Sequence, residues 1–198
     1  MINWPEKIVM ASGNKGKLRE IESLLEHLDV TVVPQSDYGV DDADETGTTF
    51  EENAVIKARH AARATGLPAI ADDSGLTVDA LGGRPGVYSA RYSGEGATDE
   101  SNIDKLMMEL DGVEERGAAF RCVACYVESE DAEPVFGKGE WRGEILTERR
   151  GDGGFGYDPV FLDPESGLAS AELSAADKNA RSHRGQALRA LIEALERG

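Results

Sequence analysis

A short apolar run at residues 7–11 passes through Ser12-Gly13-Asn14-Lys15-Gly16-Lys17 straight into a segment whose apolar positions Leu18, Ile21, Leu24, Leu25 and Leu28 recur at the helical period. This succession of strand and helix repeats along the chain. It constrains the fold more than any other feature, because alternating elements of this kind pack as helices against a sheet. A short strand is expected at 30–33. Thr49 then reads as an N-cap with Glu52 three residues on, a capping box, and opens a helix to about Thr65 that Gly66 and Pro68 stop. Ala69-Ile70-Ala71 is a short apolar strand ending in Asp72-Asp73-Ser74-Gly75, which Leu76-Thr77-Val78 can extend. Thr98 caps a further helix with Ile103, Leu106, Met107 and Leu110 on one face, and 118–128 reads as a long strand. Two more strands are expected at 135–141 and 143–147, then a glycine-rich loop at 151–156 and a strand at 159–162. Ser174 with Asp177 marks a helix start near Ala175, and 186–195 carries a last stripe of Leu188, Leu191, Ile192 and Leu195. Consecutive strands near the middle make the sheet mixed rather than purely parallel.

The chain has 198 residues and 40% hydrophobic content, enough to bury a core without disulfides or structural metals. With no internal repeat or long linker, one domain over 1–198 is expected. No apolar run reaches the roughly 18 to 20 residues that cross a bilayer, and Met1-Ile2-Asn3-Trp4-Pro5-Glu6 lacks a signal pattern, so the expected place is the cytoplasm, away from membranes. Cys122 and Cys125 lie three apart in an expected strand. Their side chains then point to opposite faces, which makes them buried thiols rather than a ligand pair. Acids outnumber bases 38 to 21, for a net charge of −17, which excludes the basic footprint a nucleic-acid polymer needs. A small polyanionic substrate would need a local cluster of cations or a metal ion, and only seven lysines are available.

Five places carry candidate chemistry. The turn at 12–17 aims backbone N–H groups and a helix start at an anion, with Lys15 and Lys17 adding charge. It is not a Walker A loop, since two residues separate Gly13 from Gly16 and Leu18 follows Lys17. Asp72 and Asp73 end a strand where α/β folds place their ligands, and on a strand they face opposite ways. A carboxylate there can hold Mg²⁺, orient a water, or cap the next turn. Near Glu45, Asn53 and Lys57 are four apart and share a helix face, bordering either a phosphate site or solvent. In Gly153-Gly154-Phe155-Gly156-Tyr157-Asp158-Pro159 the aromatics can stack on a planar ring or pack into the core. Lys178 and Ser182-His183-Arg184-Gly185 form a set of donors near a helix start, although a lone histidine is more often structural.

In one order on one chain, these segments resemble the inosine triphosphate pyrophosphatase family. The resemblance is carried by S-G-N-K-G-K from Ser12, E-T-G-T-T-F-E-E-N-A from Glu45, K-A-R from Lys57, A-D-D-S-G-L from Ala71, P-G-V-Y-S-A-R-Y-S-G from Pro85, G-G-F-G-Y-D-P from Gly153 and S-H-R-G from Ser182. Ser12 stands where many relatives have threonine, and 113–116 and 129–134 vary. The resemblance implies hydrolysis of ITP, dITP and XTP to the monophosphate and pyrophosphate, on an α/β fold with a long mixed β-sheet and flanking helices forming two lobes around a central cleft, usually as a homodimer. By the same resemblance Ser12, Gly13, Asn14, Lys15, Gly16 and Lys17 cradle the triphosphate and Lys57 adds a phosphate contact. Glu45 and Asp73 bind Mg²⁺, Asp73 is also the catalytic carboxylate with Asp72 tuning its charge, and Ser74 touches the substrate. Phe155, Gly156, Tyr157 and Asp158 hold base and sugar, while Lys178, His183 and Arg184 read the purine. Two other classes share parts of the pattern. A nucleotide sensor without turnover would not need both Glu45 and Asp73, and a pyrophosphatase for pyrimidine or modified nucleotides would differ in the base-reading segments.

Overall fold

In the computed structural model, residues 4–12 and 15–197 are described, without the side chains of residues 15–17 and 20. Seven strands form one sheet: β1 (Lys7–Met10), β2 (Thr31–Pro34), β3 (Ala69–Val78), β4 (Gly117–Val127), β5 (Val135–Ile145), β6 (Phe161–Asp163) and β7 (Leu168–Ala169). Their spatial order is β2-β1-β3-β4-β5-β6-β7. β1 pairs in parallel with β2, Val9 opposite Val33, and with β3, Val9 opposite Ala69. β6 is antiparallel to β5, Ile145 opposite Phe161, and to β7, Leu162 opposite Ala169. The sheet is mixed, as expected. The helices are α1 (Lys15–Leu25), α2 (Phe50–Thr65), α3 (Asp99–Glu109), α4 (Ala175–Arg181) and α5 (His183–Arg197).

The chain divides into two compact units, each assembled from separated segments. The first holds Met1–Asp73, Cys122–Gly139 and Arg184–Gly198, the second Ser74–Arg121 and Glu140–His183. In the first, Ile8, Met10 and Ile70 of the sheet pack with Ile21 and Leu25 of α1 and with Leu188 and Leu191 of α5. Val9, Ala69 and Ala71 alternate to the other face and meet Ala54, Ala58, Ala61 and Ala62 of α2. That run of alanines lets α2 lie close to the strands while keeping the best helix propensity. Cys122 joins the first cluster and Cys125 the second, so the two thiols are buried on opposite faces. Burial pushes the Cys125 thiol up to about 12. Gly137 of β5 admits no side chain: a Cβ would sit 2.0 Å from the carbonyl oxygen of Ala187 in α5.

In the second unit Leu76, Val78, Ile103, Leu106, Leu110, Trp141 and Phe161 make one cluster. Phe161 lies 4.4 Å from the ring of Phe120 and 5.1 Å from that of Trp141, centroid to centroid.

All three expected caps are in place, the Ser174 hydroxyl accepting from the Asp177 N–H at 3.1 Å. The Thr49 hydroxyl accepts from the Glu52 N–H at 3.1 Å, and Thr98 does the same for Ser101. Four elements differ from expectation. Asp72 and Asp73 do not end a strand, because β3 runs ten residues through both of them to Val78. β5 is likewise one strand where two were expected. Arg142, the expected gap, lies within it, and Gly143 packs tightly, since a Cβ there would meet the Leu162 carbonyl at 2.4 Å. The helix after the first turn already begins at Lys15, and α5 begins at His183 rather than Gln186.

Candidate functional site

Strand alternation separates the two aspartates, and each finds its own partners in the first unit. Asp73 faces α2, where the Asn53 side-chain amide donates to its Oδ2 at 3.1 Å and the Lys57 ammonium donates to its Oδ1 at 3.0 Å. Lys57 also donates to Glu45 Oε1 at 2.8 Å, so one ammonium holds two carboxylates. Asn53 and Lys57 are four residues apart on α2 and do share a face, which turns toward Asp73 of β3 with Asn53 buried and Lys57 half-buried.

Asn53 is fully buried, and its orientation is fixed from both ends. Its Oδ1 accepts from the Gly47 N–H at 2.8 Å, which leaves the NH₂ for Asp73. A Cβ at Gly47 would sit 2.6 Å from that Oδ1. Asn53 therefore joins this cluster, although only its helical spacing to Lys57 was legible beforehand. The signal that would have exposed it is the glycine two residues after Glu45, at the mouth of a capping box.

Burial pushes the Asp73 carboxyl above its ordinary value. The Lys57 charge opposes this and the negative charge of Glu45 adds to it. For Lys57, burial disfavours the ammonium, but Asp73 and Glu45 outweigh it and its pKa is raised. The ammonium therefore stays charged between two carboxylates.

Asp72 points the other way. Its Oδ2 receives Arg184 Nε at 3.3 Å, with the Cys122 thiol at 3.9 Å. It holds the arginine of the Ser182-His183-Arg184-Gly185 segment rather than lying beside Asp73. Of the phosphate turn, Ser12 is half-buried and its N–H donates to the Met10 carbonyl at 2.8 Å. Gly13 and Asn14 lie outside the described residues, while Lys15, Gly16 and Lys17 form the first turn of α1.

The second unit carries the remaining candidates. Ser74 is half-buried on β3. Phe155 is 67% exposed, with the Lys178 ammonium 4.9 Å from the centre of its ring. Asp158 is buried, and its carboxylate is saturated: Oδ1 accepts from Ser170 Oγ at 2.8 Å, and Oδ2 from the Phe155 N–H at 2.9 Å and from Lys178. Tyr157 is core. Its hydroxyl donates to the Ser89 carbonyl at 2.8 Å, and burial raises its pKa. The two aromatics of the loop thus divide, one packed and one presented. The Gly156 N–H donates to Asp99, and His183 stacks on Phe120 at 5.2 Å with the rings 15° apart.

A family model described as the Ham1 family matches residues 8–194. The chain belongs to the Ham1 family. A dITP/XTP pyrophosphatase of Pectobacterium atrosepticum is 55% identical over 96% of this chain and 98% of its own length. One from Methylococcus capsulatus is 57% identical over 96% of each. Among solved structures, a HAM1 protein from Coxiella burnetii superposes with a TM-score of 0.93 at 49% identity, covering 98% of this chain and 100% of that one. As a Ham1-family α/β chain, it has the mixed sheet and flanking helices expected from its sequence.

Among the described residues no group of three or more His, Cys, Asp or Glu side chains could hold a metal ion alone. The pair Glu45 and Asp73 nonetheless fits a hard divalent cation, because both are oxygen donors meeting at one ammonium. Magnesium typically takes one or two carboxylates and completes its octahedron with phosphate oxygens and water.

Proposed function

We propose that this Ham1-family chain hydrolyses deaminated purine nucleoside triphosphates, ITP, dITP and XTP, to the monophosphate and pyrophosphate, and so clears them from the nucleotide pool. The observation that carries this reading is the hydrogen-bonded set of buried Asn53 and Asp73 with half-buried Glu45 and Lys57, on a chain more than half identical, over nearly its whole length, to dITP/XTP pyrophosphatases.

In this reading Ser12, Gly13, Asn14, Lys15, Gly16 and Lys17 cradle the triphosphate, Lys57 contacts a phosphate oxygen, and Ser74 touches the substrate. Glu45 and Asp73 hold Mg²⁺, which when bound neutralises phosphate charge and polarises the phosphorus. Asp73 takes the proton of the attacking water. Support comes from its geometry, since Asn53 and Lys57 hold its two oxygens in place from one helix. Asn53 keeps one Asp73 oxygen occupied and the carboxylate plane fixed. The lysines oppose the charge that builds as pyrophosphate leaves, a stabilisation set before the substrate arrives.

For the base, Phe155 offers its exposed face and Gly156 its backbone, while Tyr157 and Asp158 act by holding the loop. Lys178, His183 and Arg184 read the purine. Lys178 and Arg184 only donate, which suits an oxygen at purine position 6 and opposes the amino group of adenine. A buried donor left facing a donor costs about 1–3 kcal/mol.

The reading takes the chain as one catalytic domain, because β3, β4 and β5 each run through the boundary between the two units. It also includes a homodimer in the cytoplasm, without a nucleic-acid polymer or a membrane as partner. No helix among the described residues is long and apolar enough to cross a bilayer.

The test is pyrophosphate release with Mg²⁺ across a panel of ITP, dITP, XTP, GTP, ATP and pyrimidine triphosphates. ITP, dITP and XTP are expected to exceed ATP and GTP in kcat/KM by about a hundredfold or more. Comparable values for ATP and ITP would overturn the base assignment, and absence of release would overturn the activity.

A further inference from the structure

The glycine-rich loop poses a mechanical question. Four of the six residues from 151 to 156 are glycine, so the segment has large conformational freedom to lose, yet it presents the exposed ring of Phe155. Three bonds fix it around that ring. The Phe155 N–H is held by Asp158, the Tyr157 hydroxyl by the Ser89 carbonyl, and the Gly156 N–H by Asp99 Oδ2 at 2.7 Å. The first two belong to buried side chains on which the core of the second unit depends. The third is different. Asp99 is exposed, it opens α3 directly after the Thr98 cap, and its carboxylate accepts from an N–H on a loop 57 residues away in sequence. Gly156 sits at φ +59, a conformation that a freed loop need not keep.

We propose that Asp99 is a positioning residue for base recognition: by pinning the Gly156 N–H to the rigid start of α3, it keeps the Phe155 ring, with Lys178 beside it, in the pose that a purine meets. This rests on the function proposed above and names a residue outside the set carried by the resemblance. Because the bond is exposed and a second acid, Glu100, remains in the first turn of α3, Asp99 can be replaced without removing a core side chain.

The test compares Asp99→Ala, Asp99→Asn and Glu100→Ala with the wild type. Asp99→Ala is expected to raise KM for ITP about tenfold while kcat stays within about twofold, because the chemical groups are untouched. Inhibition by inorganic tripolyphosphate, which lacks a base, should be unchanged. Amide hydrogen exchange in the ligand-free protein should speed up across 153–157. Asp99→Asn keeps an oxygen acceptor and should restore KM and exchange to within about threefold of the wild type, whereas Glu100→Ala should leave both as they were. Unchanged KM and unchanged exchange in Asp99→Ala would overturn the proposal, as would an equal loss of tripolyphosphate affinity, which would mean general loosening. Failure of the wild type to hydrolyse ITP would instead overturn the functional reading, and the exchange measurement would still decide whether Asp99 orders the loop.

Discussion

Asp73 is 7% exposed and Phe155 is 67% exposed, and the elements that carry them are equally unlike. Asp73 sits in the middle of a ten-residue strand and is bonded to two side chains of one helix, whereas Phe155 rides on a loop of glycines held at its start and around the ring. Under the proposed function the contrast follows from what each would have to do. Placing charge against a reacting phosphate requires groups that do not reorganise, so that part is buried and cross-braced. Meeting a flat base needs an open aromatic face, and an open face cannot be braced by burial. It is braced through the backbone on either side instead.

The sharpest way to break the comparison is Asp73→Asn. It removes a proton acceptor and a metal ligand while keeping the shape, so kcat should fall by about 10² to 10⁴ with the unfolding midpoint within a few degrees of the wild type. A variant keeping more than about a tenth of kcat, a loss under ~1.4 kcal/mol, would contradict the role of Asp73. Chelation comes next. Excess EDTA should abolish turnover, and the near-UV circular dichroism of the aromatic core should not change. Turnover that persists in chelator would separate the carboxylates from any metal.

Lys178→Met probes the loop side and has two separable effects. It should lower kcat/KM for ITP about tenfold while ATP hydrolysis barely moves, narrowing their ratio. It also leaves the buried Asp158 carboxylate without its counter-charge, so a loss of stability of up to about 3 kcal/mol is expected in thermal melts. An unchanged ITP to ATP ratio would show that Lys178 holds the loop without reading the base.

The smallest effect concerns neither part and calibrates both. Burial works against the charged form of Asp163, but bonds from the Ser166 N–H at 3.0 Å and Trp141 Nε1 at 3.1 Å, with Arg181 at 3.2 Å, outweigh it and hold its pKa below the usual 3.8. A carboxyl depressed in the folded state contributes stability above its unfolded value and loses it as pH falls through the folded one. Urea melts should therefore show an acid-side loss beginning below about pH 4. Asp163→Asn should be less stable at pH 6 and lose less stability in that window, where Glu51 and Glu52, also held below their usual values, still contribute. An equally steep acid loss in the variant would assign it to other groups.

Much of this architecture could be read from local chemistry. Thr49 with Glu52 and Thr98 with its helix satisfy orphan N–H groups within a few residues, so the sequence alone locates those starts. The opposed aspartates and opposed cysteines follow from the period of a strand. What failed were inferences from polarity. Asp72 and Asp73 look like a strand end because acids rarely occupy a strand interior, and here Arg184 and Lys57 arrive from distant segments to make them tolerable. The need for a glycine at 143 was likewise not legible, because the Leu162 carbonyl that excludes a side chain there belongs to another strand. The partners of Asn53 and Asp158 were hidden for the same reason, since each depends on a fold that brings remote atoms within 3 Å or so.

The cap at Thr49 also acts as an index mark for the chemistry. It sets where α2 begins, and with it the angle at which every later side chain leaves the helix. Asn53 and Lys57 stand at the fourth and eighth helical positions, so both reach Asp73. Moving the start by one residue turns the whole helix about 100°. That would carry the ammonium away from the two carboxylates while leaving the composition of the site unchanged. Inserting or deleting a single residue between Gly47 and Asn53 should therefore cost catalysis far more than any substitution on the exposed side of α2, whereas the segments at 113–116 and 129–134 have no such phase to keep.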